Sequence, residues 1–282
     1  MKDGKIRKTF EKNIVNEEIL IEAMVGENLL IKQKELKEFK NSNCILSLKN
    51  LSYQNKFNKI NLNLAQGEVL GLSGLLGSGS NELLRCIFGI DKIEEGEISL
   101  SNISIKINSI KDAINYGIGY IPSDRKNEGL IQNNSIKDNA VLTIFEKLTN
   151  FGFFNNKEAA LTTNSYIEKL DIKVSDINNF VMNLSGGNQQ KVVIAKWLAK
   201  KCKILLFDEP TRGIDVAAKV QIWKLISEFT KEGGSVIVAS NEIPELINNC
   251  DRILTLQKGV INNTFNHQEF NEHKISLSIS SN

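Results

Sequence analysis

The chain has 282 residues, of which 41% are apolar and 24% charged, a composition typical of a globular protein with one large or two small domains. The 35 basic residues nearly balance the 33 acidic ones, which disfavours a nucleic-acid-binding function. No apolar run approaches the roughly 20 residues of a transmembrane helix, and the four cysteines form no CxxC pair, which disfavours a disulfide framework or a metal site.

The first segment resembles the end of the chain. Six residues recur 255 positions later without a gap, Gly4, Ile6, Thr9, Phe10, Asn16 and Glu17 matching Gly259, Ile261, Thr264, Phe265, Asn271 and Glu272. Both copies predict a hairpin turn followed by a helix with a polar cap. The repeat indicates that residues 1–43 are the tail and linker of a preceding, similar unit, and that residues 44–282 form one domain.

From residue 44 onward the pattern is α/β. Strands are predicted at residues 45–51, 66–72, 204–207 and 235–239, and helices at 81–88, 188–200 and 217–231. Residues 134–183 look helical and polar. Short apolar runs alternating with helices predict a mostly parallel sheet covered on both faces.

A glycine-rich segment between the second strand and the first helix has the form of a phosphate-binding loop. It comprises Gly74, Leu75, Leu76, Gly77, Ser78, Gly79, Ser80 and Asn81, and is called the phosphate loop below. The usual pattern ends in Gly-Lys-Ser/Thr, with the lysine on the β/γ-phosphates and the hydroxyl on Mg²⁺. Because Ser80 and Asn81 stand at those places, the segment alone is equally compatible with a plain glycine-rich turn.

Two further segments contain residues suited to binding phosphate or a metal ion. In the signature segment, residues 184–191 (Leu-Ser-Gly-Gly-Asn-Gln-Gln-Lys), Ser185 and the amides of Gly186 and Gly187 are placed to bind a phosphate or simply to cap a helix. One helix later, a buried strand ends in Asp208 and Glu209, which suit Mg²⁺ binding and polarisation of an attacking water, although many strands end in solvated acids. The three segments together, in this order, favour a nucleotide-dependent phosphate chemistry.

At this point the chain resembles the ABC ATPases, and more narrowly the ATP-binding subunits of ribose/galactose/xylose-type sugar importers. LSGGNQQK is similar to their signature, residues 208–219 (DEPTRGIDVAAK) to their Walker B motif and D-loop, and residues 120–130 (YIPSDRKNEGL) to a stretch in the second half of these proteins. The resemblance implies a P-loop NTPase core with a small antiparallel β subdomain and a helical subdomain at about 134–183. It also implies that residues 1–43 end a first half and that residues 44–282 are the second half.

The resemblance also implies roles for individual residues. Asp208 would bind Mg²⁺, with Asn81 as a weak second ligand, Glu209 would be the catalytic carboxylate, and Ser123 and Asn241 would replace a glutamine and a histidine that face the γ-phosphate. Since lysine, glutamine and histidine are all replaced, we expect this half's own site to turn over little or no ATP. Ser185, Gly186, Gly187, Asn188 and Gln189 would instead complete the ATP site of the first half.

The implied function is that of an energy-coupling subunit that uses ATP and Mg²⁺ at the cytoplasmic face of the membrane. Its partners would be the first ABC half, membrane permease subunits contacted by the helical subdomain and, indirectly, an external sugar-binding protein. The alternative is a non-catalytic truncated remnant or a split-gene half of such a subunit. A soluble ABC protein acting on ribosomes or DNA is disfavoured by the charge balance.

Smaller features have two interpretations each. Tyr53 or Phe57 would stack on adenine or pack in the core, and residues 124–126 (Asp-Arg-Lys) would form a solvated loop or contact the opposite half.

Overall fold

The computed structural model describes residue 39 and residues 43–280. The predicted tail at residues 1–43 therefore lies almost entirely outside the described residues, and so does the first copy of the repeat. The second copy has the predicted form, a hairpin followed by a helix whose first turn is capped by Asn271.

The core is a six-stranded sheet. Five adjacent strands run parallel, and the sixth, at one edge, runs antiparallel to its neighbour. In spatial order the strands are β12 (Val260–Asn266), β11 (Arg252–Gln257), β3 (Val69–Gly74), β10 (Ser235–Ala239), β9 (Ile204–Asp208) and β6 (Ile118–Ile121). Every residue of β3, β9 and β10 is buried. Because successive strand residues face opposite sides, both faces of the sheet are covered, as predicted.

Helices supply that cover. They are α1 (Ser80–Ile87), α2 (Ile110–Asn115), α3 (Ile136–Val141), α4 (Asn156–Lys169), α5 (Gly186–Ala199), α6 (Val216–Lys231), α7 (Ile243–Asn249) and α8 (Glu272–Ser280). Helices α1, α6 and α7 pack on the central strands, α5 on β6 and α8 on β11 and β12. The predicted helices and strands are confirmed to within a few residues, the largest shift being that of β3.

A second, antiparallel sheet is formed by β1 (Cys44–Tyr53), β2 (Phe57–Ala65), β4 (Glu95–Leu100) and β5 (Ile103–Ile105), in the order β2-β1-β4-β5. This sheet is the predicted antiparallel subdomain. Phe57 is buried in the core, whereas Tyr53 is partly exposed and lies 6.0 Å from it, ring centroid to ring centroid. The packing interpretation therefore holds for Phe57.

Residues 134–183 contain α3, a 3₁₀ segment at Leu142–Leu148 and α4, which confirms a largely helical region. The prediction missed a short hairpin there, formed by β7 (Thr149–Asn150) and β8 (Phe153–Phe154). None of the helices within the described residues is long and apolar enough to cross a membrane.

Candidate functional site

The parallel sheet brings four loops to one edge. Strands β3, β10, β9 and β6 are neighbours and run in the same direction, so the residues after their carboxyl ends lie side by side. These residues are the phosphate loop, Ser240 and Asn241, Glu209, and Ser123. The arrangement groups the predicted nucleotide-facing residues, apart from those of the signature segment, at one site.

The phosphate loop has the curled backbone that anion binding requires. Gly77 and Gly79 have φ of 82° and 98°, and a Cβ on Gly79 would lie 2.6 Å from the Lys56 carbonyl oxygen, so only glycine fits there. Leu75 and Leu76 point outward, Leu76 being 96% exposed. The loop therefore has the shape of a phosphate cradle.

The side chains of the phosphate loop supply no cation. Ser80 is buried, and its Oγ lies 3.2 Å from Ser78 Oγ and 3.3 Å from Asn81 Oδ1. These neutral contacts are made where a lysine would otherwise bring a charge to the phosphates. The cradle thus depends on its backbone amides and on the N-terminus of α1 to attract an anion.

Asp208, at the end of β9, is buried and used as an acceptor by three side chains. Asn81 Nδ2 donates to Oδ1, while Tyr120 OH and Ser123 Oγ donate to Oδ2 at 3.0 and 3.2 Å. Burial raises the pKa of Asp208, and these hydrogen bonds oppose the shift. The same burial, with the charge of Asp208, raises the pKa of Tyr120, which stays a protonated donor.

A carboxylate at this position is the ligand type that Mg²⁺ prefers, but the donor set around it does not fit the ion. An Asn81 amide nitrogen faces Asp208, where a metal site requires a second oxygen, and two hydroxyl groups satisfy the other carboxylate oxygen. The predicted Asp208–Asn81 metal pair is therefore replaced in this arrangement by a network of hydrogen bonds.

Glu209 is held by the loop that follows β10. The Asn241 N–H donates to its Oε1 at 3.0 Å and Ser240 Oγ to its Oε2 at 3.4 Å. Its backbone is left-handed, with φ of 47°, which directs the carboxylate towards that loop. Burial raises its pKa, and the Asn241 amide counteracts the effect. The exposed Asn241 side chain adds no titratable group beside the carboxylate.

The signature segment begins helix α5 with an exposed serine followed by a partly exposed and a buried glycine. Ser185 caps the helix, accepting from the Asn188 N–H at 3.4 Å and from its Nδ2 at 3.0 Å. Within the described part of the chain, the amides of Gly186 and Gly187 have no recorded acceptor. A Cβ on Gly187 would lie 2.6 Å from Ala218 Cβ, so the close approach of α5 to α6 requires this glycine.

Gln189 lies elsewhere than the resemblance implied. Its side chain is 2% exposed and donates to the Val181 carbonyl at 3.2 Å, so it cannot reach a ligand outside the helix without rearrangement. Asn188 is partly exposed and accepts from the Lys173 N–H. The accessible donors of the signature segment are therefore the exposed Ser185 hydroxyl and the amide of the partly exposed Gly186, while Gly187 is buried.

Sequence reasoning gave residues 124–126 two interpretations, a solvated loop or a contact with the opposite half, and missed the contacts that Arg125 makes within this chain. Residues Arg125–Gly129 form a single π-helical turn, and the partly buried Arg125 side chain contacts the D-loop, here residues 211–215. π-helical turns concentrate at functional sites, so this turn marks Arg125 in the structure. The sequence carries no pattern that predicts such a turn.

A second missed residue is Glu245 on α7, which anchors the D-loop from behind. Its carboxylate accepts from Thr211 Oγ1 at 2.6 Å, Trp223 Nε1 at 3.0 Å and Lys219 Nζ at 2.8 Å. Burial alone raises its pKa, but the hydrogen bonds from Lys219, Thr211 and Trp223 outweigh burial and leave the pKa below its ordinary value.

We expect Glu245→Ala to lower the free energy of unfolding by about 2–3 kcal/mol, since Thr211 and Trp223 lose an ionised acceptor. For a domain of this size the melting temperature should fall by roughly 5–10 °C in a thermal melt at pH 7. Glu242→Ala, which removes the exposed partner of the same Lys219, is the matched control and should cost under about 0.5 kcal/mol.

The same anchor predicts a pH dependence. Because the folded-state pKa of Glu245 is depressed, its contribution is present above the unfolded pKa of about 4.3 and is lost as pH falls through the folded value. The stability difference between the protein and its Glu245→Gln variant should therefore shrink on acidification. A difference that grows below pH 4 would contradict this assignment.

Comparisons with known proteins agree with this site. The family model described as "ABC transporter" matches residues 57–212, which include the phosphate loop, the signature segment, Asp208 and Glu209. The chain belongs to the ABC transporter family. The resemblance inferred from the motifs is confirmed at this level.

Among curated relatives, the ribose import ATP-binding protein RbsA of Clostridium perfringens is 41% identical over 276 residues, covering 98% of this chain and 55% of the relative. A putative ribose/galactose/methyl galactoside import ATP-binding protein of Halalkalibacterium halodurans is 38% identical over 275 residues, covering 97% and 52%. The chain thus spans about half the length of the curated relatives it matches.

Solved structures of the family share the fold. A nucleotide-free ATP-binding cassette from an ABC transporter superposes with a TM-score of 0.70 at 20% identity, over 83% of this chain and 95% of that one. The dimeric structure of a bacterial ABC transporter cassette gives 0.68 at 25% identity, over 80% and 100%. The P-loop NTPase fold with its α/β core is therefore confirmed.

Proposed function

We propose that this chain is a nucleotide-binding, energy-coupling half of a subunit that powers import of a monosaccharide. Its signature segment completes the ATP site of a partner half, while its own phosphate loop is degenerate. The observation that carries the proposal is the contrast between the signature segment and the phosphate loop with Asp208. Ser185 is exposed, Gly186 is partly exposed, and the amides of Gly186 and of the buried Gly187 have no acceptor within the described residues, whereas Ser80, Asn81 and Asp208 satisfy one another.

The names of the relatives support the assignment to a sugar importer, and two further findings support the pairing with a partner half. The relatives named for ribose import align with 98% of the chain at about 40% identity. A related cassette at 25% identity is dimeric, the arrangement in which a signature segment can face a second nucleotide. In this proposal the partner is a first ABC half of the same type, and the length of the relatives that this chain does not cover leaves room for one.

In this proposal each residue has a defined task. The Ser185 hydroxyl and the Gly186 and Gly187 amides donate to the γ-phosphate bound by the partner half, at a helix end that favours negative charge. The partner's own residues hold its Mg²⁺ and attacking water. Glu209 of this chain retains its carboxylate but faces a neutral Asn241, so it contributes little turnover at its own site.

We expect the purified chain to bind nucleotide weakly and to release almost no phosphate from ATP, because its phosphate loop has no lysine. Turnover should appear when a first half of the same type is added. Phosphate release and a binding titration with a fluorescent ATP analogue measure both quantities. A robust ATPase rate from the chain alone, unchanged by Glu209→Gln, would contradict the proposal.

We further propose that the helical region at residues 134–183 contacts membrane permease subunits, which places the chain at the cytoplasmic face of the membrane. The hairpin of β7 and β8 carries Phe151 and Phe153, which are 95% and 81% exposed. Phe154 of the same hairpin stacks on Phe145, with ring centroids 4.9 Å apart. Exposed aromatic side chains on a packed base are typical of an interaction site.

A paired substitution tests this contact. Phe151→Asp should lower co-purification with the permease at least about tenfold, because a charge would be desolvated in an apolar contact. Ile103→Asp replaces an apolar side chain that is 69% exposed on the antiparallel subdomain and is the matched control. Equal recovery of permease with both variants would place the contact elsewhere.

A further inference from the structure

Arg125 joins two segments that are far apart in sequence. Its Nη1 donates to the Arg212 carbonyl at 3.0 Å and its Nη2 to the Gly213 carbonyl at 3.3 Å. The guanidinium also lies against the first residue of α5, because a Cβ on Gly186 would be 2.5 Å from Nη2. One planar group thus contacts both the D-loop and the signature segment.

Among the described residues, Arg125 has no ion pair within 4.0 Å. The charge of the neighbouring Asp124 acts on its guanidinium, but both oxygens of that carboxylate accept hydrogen bonds from Asn127. The Arg125 Nε is buried without a partner, and burial lowers the pKa of the guanidinium. The Arg125 guanidinium lies beside the N-terminus of α5, which is the positive end of the helix dipole, and two positive charges repel each other. An anion bound at Ser185 would offset this repulsion.

Arg125 is also connected to this chain's own nucleotide site. Ser123, two residues earlier, donates to Asp208, and the D-loop that Arg125 contacts follows Asp208 and Glu209 directly. The π-helical turn that carries Arg125 is fixed at its far end, where the buried Lys196 of α5 donates to the Gly129 carbonyl at 2.7 Å. Contacts therefore run continuously from Asp208 to the signature segment.

We propose that Arg125 is a positioning residue that holds the D-loop and the start of α5 in one fixed relation, so that the two segments move together. It also adds positive potential behind the Ser185 hydroxyl and the Gly186 amide. The second statement rests on the proposed function, because it requires a γ-phosphate of the partner half at Ser185. The first concerns this chain alone.

Hydrogen exchange of the isolated chain tests the first statement. In Arg125→Met, amide exchange should rise about tenfold at Arg212 in the D-loop and at Asn188 and Gln189 at the start of α5, whose amides have acceptors, the effect of losing one to two hydrogen bonds. Arg125→Lys keeps the charge but not the planar fork, so its exchange should be intermediate. Lys126→Met removes the exposed neighbouring charge and should leave both segments unchanged.

Gly186→Ala should also break the contact between Arg125 and the D-loop, without changing Arg125 itself. The added methyl group would displace the flexible end of Arg125, so exchange in the D-loop should rise although the substitution lies in α5. Combined with Arg125→Met, it should add little, since both changes remove one interaction. Additive effects would mean that Gly186 acts on the helix alone.

The assembly of this chain with a first half tests the second statement. Arg125→Met should lower kcat for ATP about tenfold and change KM less than about twofold, because the partner's phosphate loop binds the nucleotide and Arg125 acts only when the halves close. Exchange that rises in one segment only, in neither, or throughout the chain would overturn the positioning role. Coupled exchange with unchanged kcat would uphold that role and contradict the placement of Ser185 at the partner's ATP.

Discussion

Ser185→Asp is expected to lower ATP turnover of the proposed two-half assembly at least about a hundredfold, while Ser185→Asn lowers it less than about tenfold. Ser185 caps α5 through the Asn188 amide, and aspartate and asparagine are both good helix caps. The two variants therefore preserve the helix equally. They differ in charge, since the aspartate would place a carboxylate against the γ-phosphate.

This pair separates phosphate binding from helix capping. Phosphate release by the assembly gives the turnover, and thermal melts of the isolated chain should place both variants within about 2 °C of the unmodified protein. Equal turnover in the two variants would show that no anion approaches Ser185. A large drop in the melting temperature of either one would show that the cap, and not the charge, was altered.

We also expect a large gain in affinity for ATP from two substitutions in the phosphate loop. Restoring the usual phosphate-loop residues with Ser80→Lys and Asn81→Thr should raise the affinity of the isolated chain for ATP with Mg²⁺ about 10- to 100-fold. The lysine supplies a charge-assisted hydrogen bond to the phosphates. The threonine removes the Asn81 amide from Asp208 and offers an oxygen beside it.

Single variants and a third substitution give the controls. Ser80→Lys alone should raise affinity with little dependence on Mg²⁺, because Asp208 remains bonded to Asn81. The double variant should lose most of its added Mg²⁺ dependence when Asp208→Asn is introduced. Titrations in Mg²⁺ and in EDTA measure this, and a double variant that binds ATP equally in both would show that releasing Asp208 from Asn81 does not create a Mg²⁺ site.

Much of the fold and the grouping of the site could be predicted from sequence. The buried runs at Ile204–Asp208 and Ser235–Ala239 are short, mostly apolar and separated by a helix, which is the pattern that predicts neighbouring strands of a parallel sheet. Once the strands are parallel, the phosphate loop, Glu209 and Asn241 must share an edge. The antiparallel strands were harder, because β4 and β5 are short and mostly exposed, which weakens their alternation.

The side-chain details could not be predicted for a physical reason. Helix α5 is buried on nearly every side, and Gln189, Gln190 and Lys191 are each 2% exposed. Its sequence therefore does not reveal which face points outward, and Gln189 was assigned to the wrong side. Arg125 and Glu245 act through carbonyls and hydroxyls distant in sequence, and such partners leave no local pattern.

The pairing of β3 has a consequence for the order in which the molecule can fold. Its neighbours in the sheet are β10 and β11, and the Val69 N–H donates to Asp251, 182 residues later. The Gly259 turn then closes on the phosphate loop, its N–H donating to the Ser78 carbonyl at 3.1 Å. Non-local pairing of this kind slows folding and exposes apolar strand edges meanwhile. During synthesis, a ribosome-bound chain that has not yet released β10 and β11 would hold an apolar β3 without its neighbours, so chaperones would be needed longest at the amino-terminal part of the core.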